Sequence, residues 1–150
     1  MIKILFVCHG NICRSPMAEF LMKKLVCDKG LSDKFYIQSA ATSTEEIGNG
    51  VHYGTRKVLD KYKIDYSKKR AVQVTKADYD KYDYIVGMDR YNLRNMNRIF
   101  GDDPKGKISL LLDHTEEFRD VADPWYTGDF SQTESDVLRG CSALLRKLTQ

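Results

Sequence analysis

The chain has 150 residues, 42% hydrophobic and 30% charged, with a formal net charge of +3. That length and composition suit one ordinary globular domain with a real core, 1–150. They exclude a membrane-spanning helix, which needs ~20 consecutive apolar residues, give no global reason to expect nucleic acid, and leave four cysteines too sparse for a disulfide scaffold.

Met1-Ile2-Lys3 leads straight into a strand pattern without the layout of a signal peptide. With the cysteine usage, this predicts a cytoplasmic protein. Lys3 to Val7 reads as a short strand buried on both faces. The tight loop Cys8-His9-Gly10-Asn11-Ile12-Cys13-Arg14-Ser15 follows, with Ser15 as N-cap and Pro16 as first residue of a helix. Met17, Leu21 and Leu25, with Ala18, Met22 and Val26, form its apolar stripe. Lys29-Gly30 ends it. Phe35 to Ser39 is a second strand, running into Ala40-Ala41-Thr42-Ser43. Gly48, Gly50 and Gly54 mark a long loop, and Thr55 to Tyr62 has helical spacing. Ala71 to Val74 reads as a short extended piece, after which Thr75 caps a brief helix toward Tyr82. Asp83 to Met88 is a third strand, and Asp89 an N-cap for a helix carrying Leu93, Met96 and Phe100. Gly101 to Pro104 is a turn and Ile108 to Leu112 a fourth strand. A polar loop spans Asp113 to Gln132. Val137, Leu138, Cys141, Leu144, Leu145 and Leu148 stripe the last helix. Strands alternating with helices predict a three-layer α/β/α sandwich around a parallel sheet of about four strands.

Charge is uneven along the chain. Arg56 to Lys76 holds eight basic and two acidic residues, whereas Asp113 to Asp136 holds eight acids and one Arg. These read as two solvated faces, or as a basic stretch that steers an acidic partner. His9, His52 and His114 lack zinc-ligand spacing and read as surface or loop residues, so no metal site is expected. Cys27 and Cys141 fall on apolar helix faces and are expected in the core.

The chemistry concentrates in the loop after the first strand. A cysteine at a strand end can be a buried core residue, and an arginine usually lies on the surface. Here the following helix aims its N-terminus back at Cys8, and Arg14 adds a positive charge; both favour a thiolate. Amides and a guanidinium converging beside a thiol suit a phosphate-sized anion, and the planar guanidinium can hold two phosphoryl oxygens at once. Gly10 lets the backbone approach the anion. Asn11 tolerates positive φ and can tie the loop to neighbouring strands. Ser15 can donate to Cys8.

The run Val7-Cys8-His9-Gly10-Asn11-Ile12-Cys13-Arg14-Ser15-Pro16-Met17-Ala18-Glu19 resembles the signature of the low-molecular-weight protein tyrosine phosphatases. The likeness continues at Ser39-Ala40-Ala41-Thr42, Met88-Asp89 and Asp123-Pro124-Trp125-Tyr126. It implies hydrolysis of phosphotyrosine and small aryl phosphates through a phosphocysteine, without metal or cofactor. Cys8 is the implied nucleophile, Arg14 the clamp and Asp123 the general acid and base. Residues His9 to Ser15 bind phosphate, and Asn11, Ser15, Ser39 and Asp89 support the loop. Ile12, Glu45, Trp125 and Tyr126 wall the substrate slot, and Cys13 forms a protective reversible disulfide with Cys8. The implied partner is a tyrosine-phosphorylated protein or peptide, with phosphate or vanadate as inhibitors, no nucleic acid or membrane, and a monomeric enzyme.

The chain also departs from the pattern. Where relatives often place an aromatic residue opposite Trp125 and Tyr126, this chain has Thr44-Glu45-Glu46-Ile47, and an acid there, Glu45 above all, would repel acidic peptides and weaken stacking. His52 or Tyr53 would compensate. Relatives specific for phosphoarginine carry Thr at the position of Ile12, so a protein arginine phosphatase is the alternative that Ile12 argues against. Arsenate reductases of similar fold need further cysteines near 80–90, which are absent here. A non-catalytic phosphotyrosine-binding module needs neither Cys8 nor Asp123, and a thiol-redox module more typically shows Cys-x-x-Cys.

Overall fold

Alternation along the first strand sets the layers. In the computed structural model, which describes residues 1–150, β1 is Ile2–Cys8. Ile4, Phe6 and Cys8 join one hydrophobic cluster, Leu5 and Val7 another, and all five are buried. A strand with apolar residues on both faces needs cover on both. The first cluster takes its cover from α1 (Arg14–Asp28), α2 (Tyr53–Lys61) and α6 (Phe130–Leu148), through Met17, Leu21, Met22, Val58, Leu59, Val137 and Leu144. The second is covered by the short α3 (Asp78–Lys81) and by α4 (Arg90–Phe100), through Tyr79, Tyr82, Met96 and Phe100.

The sheet has four parallel strands in the order β2-β1-β3-β4, with β2 Phe35–Ala41, β3 Tyr84–Gly87 and β4 Ile108–Leu110. The predicted three-layer architecture is therefore the observed one. Register places Cys8 beside Ala41, Val7 beside Gly87 and Gly87 beside Leu110. The carboxyl ends of all four strands thus share one rim, where ligands bind in open α/β sheets.

Several boundaries differ from expectation for physical reasons. The first helix starts at Arg14, with Cys13 as N-cap and no side-chain cap. Ser15 lies inside the first turn because its hydroxyl is engaged by Cys8 and Asn11. The second helix starts at Tyr53, earlier than Thr55, because the His52 ring accepts from the Gly54 amide. Thr75 does not cap α3 with its side chain; its amide donates to Asp78 instead. The fourth strand stops at Leu110, where a 3₁₀ turn, Leu111–His114, keeps Leu111 and Leu112 buried. The polar loop contains a short α5, Pro124–Thr127. The 71–74 piece lies parallel to Ala41 through one isolated bridge. Asp89 caps α4 as expected, in a reciprocal capping box with Asn92. Cys141 is buried, but Cys27 is exposed on α1. No helix is long and apolar enough to cross a membrane.

Candidate active site

The loop between β1 and α1 is built by Asn11. Its φ of +60° is left-handed, a region that Asn enters more readily than most residues. The Asn11 amide donates to the Cys8 sulfur at 3.3 Å. The amides of His9, Gly10, Ile12 and Cys13 donate to no protein atom. With the uncapped start of α1, they form a concave set of donors suited to an anion.

The Asn11 side chain fixes the direction of a buried donor chain. Its Oδ1 accepts from the Val72 amide at 3.2 Å, so its Nδ2 must face the other way. Nδ2 donates to Ser15 Oγ at 2.8 Å and to Ser39 Oγ at 2.9 Å. Ser39 Oγ in turn donates to Glu19 Oε1 at 2.6 Å. Glu19 is 2% exposed and pairs with Lys23 at 2.7 Å and Lys69 at 3.3 Å. Ser15 Oγ accepts from Asn11 and can still donate its own proton, and toward a Cys8 thiolate, 3.0 Å away, it is the donor. A thiolate therefore meets two donors, the Ser15 hydroxyl and the Asn11 amide.

Arg14 is 2% exposed, and three residues from two segments hold its guanidinium. Nη1 donates to Asp89 Oδ2 at 2.7 Å and to the Val121 carbonyl at 2.9 Å, and Nη2 reaches Asp123 Oδ2 at 3.4 Å. Burial works against its charge, yet Cys8 and Asp89 outweigh that and raise its pKa above the usual arginine value. Asp89 serves two ends at once, since its other oxygen caps α4 at the Asn92 amide.

Asp123 precedes Pro124 and caps α5, accepting from the Trp125 amide at 3.0 Å. Cys8, His9, Gly10, Ile12, Cys13, Arg14, Glu45, Glu46, Asp123, Trp125 and Tyr126 line a cavity of about 120 Å³. Cys13 lies against it but is chemically unlike Cys8. Burial, then the neighbouring Cys8 and Asp123, push its thiol up to about 12. It is a neutral thiol near pH 7, and the two cysteines are unbonded. A larger open groove of about 820 Å³ beside α6 holds Glu117 and Arg139 already paired with each other, and no cysteine.

The structure thus brings together Cys8, His9 to Ser15, Ser39, Asp89, Asp123, Trp125 and Tyr126. Glu45 is at the mouth, where it pairs with His9 at 2.9 Å. Glu46, from the acidic stretch expected opposite Trp125 and Tyr126, also lines the cavity. Sequence reasoning missed Glu19 and Lys69, which end the donor chain, and the cap that the His52 ring gives α2. Lys69 sits within the basic stretch read as a solvated face, though its side chain is only 9% exposed. Neither candidate surface is free of internal pairing, since Lys61 bonds Glu134 and Arg119 bonds Asp136.

This geometry has counterparts in known proteins. Residues 3–150 match the family model described as low molecular weight phosphotyrosine protein phosphatase. The chain is 40% identical over 150 residues to the low molecular weight protein-tyrosine-phosphatase YfkJ of Bacillus subtilis (strain 168), covering 99% of this chain and 96% of that protein. It is 42% identical over 149 residues to the low molecular weight phosphotyrosine protein phosphatase of Rattus norvegicus, covering 96% of this chain and 94% of the relative. The fold superposes on the crystal structure of YfkJ from Bacillus subtilis with a TM-score of 0.96 at 40% identity, covering 99% of this chain and 95% of that one.

Proposed function

This chain belongs to the low molecular weight phosphotyrosine protein phosphatase family and is a protein tyrosine phosphatase, and we propose that one catalytic domain over residues 1–150 uses Cys8 as nucleophile, Arg14 as phosphate clamp and Asp123 as general acid and base. In the first step the Cys8 thiolate attacks phosphorus while the bond from phosphorus to the phenolic oxygen breaks. Asp123 gives its proton to the departing oxygen. In the second step Asp123 takes a proton from water as that water attacks phosphorus. The phosphorus–sulfur bond breaks, and phosphate and the thiolate are released. Arg14 and the amides of residues 9–14 hold the three equatorial oxygens, whose charge is greatest in the transition state. Cys8, Arg14 and Asp123 account for every bond and proton in both steps.

The observation that carries this reading is the convergence of a sulfur, a buried guanidinium and a carboxyl from distant parts of the chain on one small cavity. The substrate is a tyrosine-phosphorylated protein or peptide, its ring walled by Ile12, Trp125 and Tyr126, with Glu45 at the mouth. Phosphate and vanadate compete for the same donors. One copy of the chain supplies the sulfur, the guanidinium and the carboxyl, so the reaction as proposed needs no second subunit. Four cysteines in 150 residues are too few for a disulfide scaffold, and on that ground the enzyme is assigned to a reducing compartment, the cytoplasm. Asn11, Ser15, Ser39 and Asp89 hold the loop, and Cys13 stands beside Cys8 as a resolving thiol for its oxidised forms.

Rapid quenching of the wild type with a labelled aryl phosphate should leave phosphorus on the Cys8 peptide, and Cys8→Ser should give neither label nor turnover. Label on another residue, or turnover by Cys8→Ser, would overturn the assignment.

A further inference from the structure

His52 occupies a place that its sequence context does not suggest. Its backbone amide donates to the Ile12 carbonyl at 2.8 Å, which anchors it to the phosphate loop. Its Nδ1 accepts from the Gly54 amide at 3.0 Å, which fixes the ring at the start of α2. The ring then lies flat against Phe130, with centroids 5.3 Å apart and planes inclined by 7°. It meets Trp125 at an angle of 68°, with centroids 5.4 Å apart. Phe130 is itself pressed onto α2, since a Cβ on Gly54 would come within 2.3 Å of its ring. The imidazole is thus fixed by the Gly54 amide and by Phe130, and in that position it packs against Trp125.

Trp125 is the residue whose amide holds Asp123 Oδ1. The other side-chain contact of Asp123 is the long one to Arg14, at 3.4 Å. That guanidinium faces the phosphoryl oxygens once substrate is bound, so the Trp125 side is left to orient the acid.

We propose that His52 is a positioning residue for the general acid. Through its ring it registers the Asp123–Trp125 segment against the phosphate loop, so that the carboxyl points at the leaving-group oxygen. The inference rests on Asp123 being the acid. Its consequence is specific: loss of the ring should slow only substrates whose leaving group needs a proton.

Two substitutions separate the ring from the cap. His52→Asn keeps a side-chain acceptor suited to an N-cap but removes the ring. His52→Phe keeps an aromatic ring against Trp125 and Phe130 but removes the acceptor. The measurement is kcat/KM for phenyl phosphate and for 2,4-dinitrophenyl phosphate, whose leaving group departs unprotonated. His52→Asn should lose about 3- to 10-fold with phenyl phosphate, the range an aromatic pair is worth, and less than about twofold with the dinitrophenyl ester. His52→Phe should keep the wild-type ratio between the two substrates while melting about 2–4 °C lower through loss of the cap. Asp123→Asn is the reference: a steep loss confined to phenyl phosphate is expected, and a flat profile would overturn the acid assignment itself. A steep profile for Asp123→Asn together with equal losses on both substrates, or no loss, for His52→Asn would overturn the role of His52 alone.

Discussion

Asn11→Ala tests the donor chain most directly. Alanine cannot bond Ser15, Ser39 or the Val72 amide, so three hydrogen bonds disappear. Orphaning a buried polar group costs about 1–3 kcal/mol. The low end applies here, because Ser39 keeps Glu19, Ser15 keeps Cys8, and Val72 is half exposed. The three losses then come to about 3 kcal/mol. Holding alanine at φ +60° adds about 1–2 kcal/mol. Asn11→Ala should therefore lose about 4–5 kcal/mol in urea unfolding, a large share of the roughly 5–15 kcal/mol typical of a domain. Asn11→Gly escapes the backbone penalty and should lose about 3 kcal/mol. Both variants release the Ser15 hydroxyl from its fixed direction toward Cys8 and loosen the amides, so kcat/KM for an aryl phosphate should fall at least about 100-fold in each, on the scale of losing a preorganised donor. Equal stability losses in the alanine and glycine variants would refute the strain at Asn11. A loss below about 1 kcal/mol in both would refute the buried chain.

Other outcomes follow from individual side chains. Iodoacetamide at pH 7 should label Cys8 and the exposed Cys27 while sparing Cys13, whose thiol is held near 12; comparable labelling of Cys13 by peptide mass spectrometry would contradict that. Asp136 is fully buried, and although burial pushes its pKa up, hydrogen bonds from Arg119, Arg139 and Gln132 pull it below the usual carboxylate value. A depressed folded pKa contributes stability that is complete above the unfolded value, about 3.9, and is lost as the pH falls through the folded one. Asp136→Asn should thus cost about 1.5–3 kcal/mol at pH 7, with the gap to wild type closing only below about pH 4; a gap that stays constant to pH 3 would argue against the ion pairs. Ile12→Thr should shift the ratio of phosphotyrosine to phosphoarginine turnover toward phosphoarginine, and an unchanged ratio would show that Ile12 does not set the choice of leaving group.

The parts of the fold that could be read from residues were those encoded locally. Alternating and continuous apolar runs marked all four strands, and Asp89 announced the start of α4 by its cap. The phosphate loop was readable because its residue types have few other uses together. What escaped depends on contacts between distant segments. Ser15 has the chemistry of a cap, but two nearby polar groups take its hydroxyl. Cys27 follows Val26, which stays buried in the core, so the helix turns the cysteine off the stripe and out to solvent. Lys69 looks like any residue of a basic run until Glu19, 50 positions earlier, is folded against it. The segment before Asp123 reads as a polar loop, yet Arg119 is fixed to Asp136 on α6 at 2.9 Å and the Val121 amide to the Met88 carbonyl at 2.8 Å. No pattern in one segment signals a partner in another.

The short piece alongside Ala41 bears on self-association. β2 is an outer strand, and such strands offer unpaired amides and carbonyls to any passing chain. Near the site that offer is withdrawn: the Ala41 amide goes to the Val72 carbonyl at 2.7 Å, and the Val74 amide to the Ala41 carbonyl at 2.8 Å. The opposite flank, β4, is only three residues long. Because the Val72 amide is tied down by Asn11, the side chain that shapes the phosphate loop also keeps this flank closed to intermolecular pairing. A variant that frees that tie would expose a sticky margin, and would aggregate sooner than its loss of stability alone would require.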